Sequence, residues 1–117
     1  MNEEIKKILE NLVVKGEEIP VAHLRYYGDK TTFVTWTIIS EQPIYFGNDI
    51  CLYSEVSLDV DIFSDKNYLD IVKEIKKRFI NNEWYWVDDS AEMFEEETNL
   101  YHLTITFGKE KEIKWQE

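Results

Sequence analysis

Asp59, Asp61 and His102 are the side chains of this sequence whose types and placement could act together. Two carboxylates and an imidazole projecting from neighbouring strands are a donor set for a divalent cation. Asp59 and Asp61 stand two residues apart in Val56-Ser57-Leu58-Asp59-Val60-Asp61-Ile62, and His102 lies in the alternating run Leu100 to Phe107. Strand side chains alternate between faces, so all three are equally explained as solvent-facing strand positions. A flat sheet also gives a metal no enclosing second shell. His23, flanked by apolar residues, reads as structural. The single cysteine, Cys51, has no Cys-x-x-Cys partner and reads as a small buried hydrophobe. Gly16, Gly28, Gly47 and Gly108 are dispersed, forming no phosphate-cradling loop, dinucleotide fingerprint or serine elbow. The expectation is a protein without enzymatic activity, metal or cofactor.

The elements that would position these groups follow from periodicity. Residues 2 to 15 are expected to form a helix, with Asn2 as cap, Ile5, Ile8, Leu9 and Leu12 on one stripe, and Gly16 at its end. An extended segment from Ile19 to Tyr27 and a turn at Gly28-Asp29-Lys30 precede a strand from Thr32 to Ile39. Its Val34, Trp36 and Ile38 alternate with Thr35 and Thr37. Glu41-Gln42-Pro43 and Gly47-Asn48-Asp49 read as breaks, leaving Ile44-Tyr45-Phe46 open between a mobile apolar arm, an edge strand and a hairpin segment. After the long strand, Ser64-Asp65 is expected to cap a helix to Ile80, with Tyr68, Val72, Ile75 and Phe79 on its stripe and Leu69 and Ile71 widening it. Glu83 to Val87 has the aromatic richness of a strand. An acidic connection follows, then the last strand, which Gly108 is expected to terminate.

This order, α-β-β-β-α-β-β, predicts an α+β fold: a two-layer sandwich of a mostly antiparallel sheet with two helices packed on one face. The dry face collects Val34, Trp36, Val56, Leu58, Val60, Leu103 and Ile105. The wet face collects Thr35, Thr37, Ser57, Asp59, Asp61, His102, Thr104 and Thr106. Residues 1–108 are expected to form one domain and 109–117 a charged extension, in which Ile113 and Trp115 could add an edge strand or fray.

At 117 residues the chain suffices for one core, and its single cysteine rules out an internal disulfide. Its apolar runs are far shorter than the ~20 residues that span a bilayer, so no membrane association is expected. The opening Asn2-Glu3-Glu4 lacks the pattern of a secretory signal. A net charge of −11 argues against specific nucleic-acid binding, which needs cations to neutralise phosphates. The charge is uneven: Lys66, Lys73, Lys76, Lys77 and Arg78 lie on or beside the second helix, while Asp88, Asp89, Glu92, Glu95, Glu96 and Glu97 crowd the connection after it. Cations near a helix C-terminus also complement its dipole. Such separation suits contacts between copies of the chain or with a partner, and Lys73, Lys76, Lys77, Arg78, Glu95, Glu96 and Glu97 are the candidates. Trp36, Trp84, Trp86, Trp115 and seven tyrosines exceed what a small core readily hides, which also favours assembly.

The short N-terminal helix, Phe33-Val34-Thr35-Trp36-Thr37, the run Val56 to Ser64, the Leu69 to Phe79 helix and the closing Tyr101-His102-Leu103-Thr104-Ile105-Thr106-Phe107 together resemble the tail-completion, or tail-terminator, proteins of long-tailed bacteriophages and their prophages. Phe94 to His102 is similar to the acidic turn before the last strand in members from Gram-positive hosts. The resemblance covers about residues 3 to 107; the chain departs from it from Lys109 onward, and Ile44 to Ile50 is too short to compare. It implies a virion structural protein of the head-tail junction, assembled in the bacterial cytoplasm. Its expected form is a ring of copies, taken to be hexameric, capping the tail-tube protein and meeting a head-side connector. Asp59 and Asp61 would then face a DNA passage, where negative charge stops the genome adhering. The competing readings are another head-tail joining or minor capsid component and a small acidic inhibitor that mimics DNA, with a metal-dependent enzyme last.

Overall fold

The computed structural model describes residues 2–47 and 50–112, and for 45–47 and 50–52 the backbone alone. The turn expected at Asn48-Asp49, the Cys51 thiol, and Ile113 and Trp115 lie outside the described residues.

The chain folds as α1 (Asn2–Leu9), β1 (Val13–Val14), β2 (Glu17–Glu18), β3 (Val21–His23), β4 (Phe33–Gly47), β5 (Ile50–Ser64), α2 (Leu69–Asn81), β6 (Tyr85–Asp89), β7 (Met93–Glu95) and β8 (Leu100–Glu112). The first helix is shorter than its pattern suggests. Asn11 turns into the left-handed region at φ 52°, and Lys15 and Gly16, at φ 52° and 77°, form the tight turn of the β1–β2 hairpin. The apolar spacing held nonetheless: Ile5, Ile8, Leu9 and Leu12 are all buried.

The main sheet runs β3-β4-β5-β8-β6, with β7 also paired to β8; β3 joins β4 in parallel and every other pairing is antiparallel. Glu41-Gln42-Pro43 does not break β4. The strand passes through it, with register shifts between Ile38 and Ser40 and between Pro43 and Tyr45. Beyond Trp36, β4 has no outer neighbour among the described residues, and an edge strand with bulges tolerates a proline that cannot donate to a ladder. Ile44 to Phe46 therefore belongs to the β4–β5 hairpin.

Ser64-Asp65 does not cap α2. The Ser64 hydroxyl is buried against Thr32 Oγ1 at 3.0 Å and accepts the Lys66 N–H, while Asn67 Oδ1 accepts the Leu69 N–H at 2.9 Å. The helix starts four residues later than expected, and Leu69, expected on its core stripe, is exposed.

Gly108 does not end the last strand either. β8 continues to Glu112, paired with Tyr53 to Val56 of β5, so Lys109 to Glu112 belong to the sheet rather than to an extension. The glycine serves a close approach: a Cβ there would lie 2.5 Å from the Tyr85 ring.

Both helices cover one face. Ile5, Leu9, Ile71, Val72, Ile75 and Phe79 pack with Val34, Trp36, Val56, Leu58, Val60, Ile62, Ile105 and Phe107 in a single core, the expected two-layer α+β sandwich. Phe79 stacks on Phe107 at 4.6 Å and meets Trp84 edge-on at 5.9 Å. The long hairpin draws the molecule out to 52 × 26 × 24 Å.

Candidate functional site: the open sheet face and the charged flank

On the uncovered face the register sets side chains in cross-strand rows. Phe33, Phe63 and His102 form the first, Thr35, Asp61 and Thr104 the second, and Thr37, Asp59, Thr106 and Asp88 the third. The first row is an aromatic stack. Centroids lie 4.5 Å apart for Tyr26 and Phe33, 4.8 Å for Phe33 and Phe63, and 4.1 Å for Phe63 and His102, with planes inclined by 26°, 17° and 18°. That spacing matches the separation of neighbouring strands, so the rings stand on the sheet and use their faces on one another.

In the second row, Asp61 Oδ1 lies 2.8 Å from His102 Nε2 and accepts the Thr104 hydroxyl at 2.5 Å. In the third, Asp59 accepts the Thr106 hydroxyl at 2.7 Å. The three side chains that could bind a metal are thus divided: His102 and Asp61 meet, and Asp59 turns to Thr106. Among the described residues no three His, Cys, Asp or Glu side chains come together for a metal. Nor does Thr104 resemble an activated nucleophile. A hydroxyl–imidazole–carboxylate relay uses both ring nitrogens, whereas Thr104 and Asp61 both approach Nε2 of His102, at 3.5 and 2.8 Å.

Further along, Glu55 and Glu110 are register partners on the same face, and the Tyr85 hydroxyl donates to Glu55. That hydrogen bond and partial burial hold the Tyr85 hydroxyl's pKa up to about 12. Among the described residues no lysine or arginine pairs with Asp59, Asp61, Asp88, Glu55 or Glu110. The face is open, half-buried and acidic.

The basic helix divides into internal and external groups. Arg78 bonds Glu74 at 2.8 Å and donates to the carbonyls of Ile8, Glu10 and Asn11 at 3.1, 2.9 and 3.1 Å, closing the end of α1. Lys76 pairs with Asp89 at 2.8 Å and lies 4.2 Å above the Trp86 ring, whose N–H donates to the same carboxylate. Lys66 pairs with Glu17 at 2.8 Å. Lys73 and Lys77 are exposed and make no ion pair among the described residues.

The acidic connection is likewise not one surface. Asp88 faces the open side of the sheet, Asp89 is held by Lys76, and Glu92 accepts the Tyr68 hydroxyl. Glu95 is half-buried in β7; Glu96 and Glu97 are exposed in the turn to β8. Of the sequence's contact candidates, Lys73, Lys77, Glu96 and Glu97 are free to meet another molecule, while Lys76 and Arg78 are engaged within the chain.

A 650 Å³ cleft lies between the β1–β2 hairpin and the start of α2, bridged by Lys15–Asp70 at 2.6 Å and Lys66–Glu17. The Lys15 ammonium holds the Asp70 carboxyl below its ordinary range, and Glu17 raises Lys66. His23 stacks on the buried Trp36 at 4.1 Å, consistent with the structural role expected of it.

Sequence reading missed the stack from Tyr26 to His102. Its signal was present in Phe33 and Phe63, aromatics at polar-face positions of two strands, but only the register makes them neighbours. No protein-family model matches this chain, and no curated protein matches it significantly. No helix among the described residues is long and apolar enough to cross a membrane.

Proposed function

We propose that this protein is a non-enzymatic virion component that caps a bacteriophage tail tube at the head-tail junction, as a ring of copies. The observation that carries the reading is the one-sided sandwich. Its helices cover one face of the sheet, and the other is open, with Asp59, Asp61 and Asp88 in adjacent rows and, among the described residues, no lysine or arginine paired with them. A surface of that kind turned toward a DNA passage repels the phosphate backbone and lets the genome slide. Lys73, Lys77, Glu96 and Glu97 supply contacts for the tube or the connector. The protein then acts in the bacterial cytoplasm during assembly and remains in the virion.

The test is mass by light scattering, with and without the tail-tube protein encoded nearby, and imaging of any large species. A closed ring, free or on the tube, supports the proposal; a protein that never binds the tube overturns it. Within the ring, reversing Asp59 and Asp61 to lysine should impair DNA passage while leaving assembly intact. The carboxylates of the open face, paired with no lysine or arginine among the described residues, favour one second reading, a small acidic inhibitor that presents them in place of DNA phosphates. It predicts a complex with a DNA-binding protein, displaced by duplex DNA.

A further inference from the structure

Four charged groups that make no ion pair among the described residues, Lys73, Lys77, Glu96 and Glu97, lie on one flank of the molecule, toward its two ends. α2 runs along this flank. At its start, Tyr68 donates to Glu92 and lies 6.4 Å from Tyr101, whose ring meets Phe94 at 5.1 Å. Two turns later, Lys76 reaches Asp89 and Trp86 of β6. The acidic turn bearing Glu96 and Glu97 is therefore beside the helix start, next to Phe94, while Lys73 and Lys77 follow toward its last turn, about 6 Å apart at the helical rise. Between the two ends Leu69 and Phe94 are 59% and 50% exposed. Among the described residues no ion pair joins the two ends.

We infer that two copies of this chain pair through this flank about a two-fold axis. Such an axis exchanges the ends of a surface. It sets Glu96 and Glu97 of each copy against Lys73 and Lys77 of its partner and places Leu69 and Phe94 at the dry centre. A head-to-tail contact needs complementary groups on opposite flanks. Here both signs share one flank, and complementarity to itself is what a closed dimer requires. Direct superposition of the two helices is disfavoured, because it would set Lys73 against Lys77. The axis lies instead toward the helix start, beside Leu69. The pairing is a state of the free protein and does not rest on the tail reading. What does rest on it is the consequence that the dimer covers these groups until a tube competes for them.

The experiment is sedimentation equilibrium of the full chain alone at low and high salt, with K73E/K77E and E96K/E97K variants and their equimolar mixture. The wild type should have the mass of two chains at low salt and dissociate as salt screens the contacts. Each variant alone should be monomeric, its dimer weakened more than about tenfold. The mixture should dimerise again, because both contacts then join opposite charges. Restoration also shows that the variants are folded. A wild-type monomer at all concentrations, a species larger than two chains, or a dimer indifferent to both reversals would each overturn the inference. None of these results decides whether the protein binds a tail tube.

Discussion

His102 on β8 lies face to face on Phe63 at 4.1 Å, and its Nε2 sits 2.8 Å from the Asp61 carboxylate. One imidazole thus ends the aromatic row and begins the polar one, tying the last strand to β5 by a ring face and a hydrogen bond together. Replacing His102 with alanine removes both and leaves Asp61 with Thr104 as its partner. We expect a loss of about 1–3 kcal/mol in urea unfolding. His102→Phe, which keeps the stack, should retain part of it; equal losses for both variants would show that the stack contributes nothing.

Arg78 is expected to matter for stability rather than for association. Its guanidinium reaches three carbonyls at the end of α1 while bonding Glu74, and lysine cannot reproduce that fork. Arg78→Lys should lower the denaturation midpoint, with a cost of about 1.5–3 kcal/mol, and leave the mass in solution unchanged. A change in mass with no change in stability would assign Arg78 to an interface.

Trp84 carries a buried indole N–H with no hydrogen-bond partner among the described residues. Its bulk packs on Phe79, and Lys109 lies 5.5 Å above its ring. Trp84→Phe removes the unsatisfied donor along with part of the volume, so the two effects offset and stability should stay within about 1 kcal/mol. Trp84→Ala removes the donor together with the whole ring and should cost about 3–5 kcal/mol. A loss well above about 1 kcal/mol for Trp84→Phe in thermal unfolding would mean that the N–H has a partner, such as an ordered water.

Alkaline pH should weaken the fold through tyrosine. The Tyr85 pKa rises from 10.0 to about 12 and Tyr68 is raised as well, the first chiefly by its bond to Glu55, the second chiefly by burial. Folding therefore favours the protonated phenols. Their contribution is fully present below pH 10, the unfolded value, and is lost as pH climbs through the folded values, from about 12 upward for Tyr85. Absorbance titration of tyrosinate checks this. Glu55→Gln should move one midpoint back toward 10, and an unmoved titration would separate Tyr85 from Glu55.

The alternating run from Val56 to Ile62 and the apolar stripes of both helices determined, from sequence alone, a one-sided α+β sandwich and its core, because burial depends on local periods of two and 3.6 residues. They also placed Asp59, Asp61, His102, Thr104 and Thr106 on one face. Where elements stop was less legible: Pro43 and Gly108 look like ends, yet one sits on a free edge and the other under the Tyr85 ring, and both depend on neighbours distant in sequence. Which charges remain free was decided by tertiary structure alone. Lys73 and Arg78 are alike as letters on a basic helix, but Arg78 faces the end of α1, some 70 residues back, and Lys73 faces solvent. The same holds for the aromatic stack and for the division of Asp59 from the His102–Asp61 pair. Strand register and helix docking are non-local, so no window of sequence contains them.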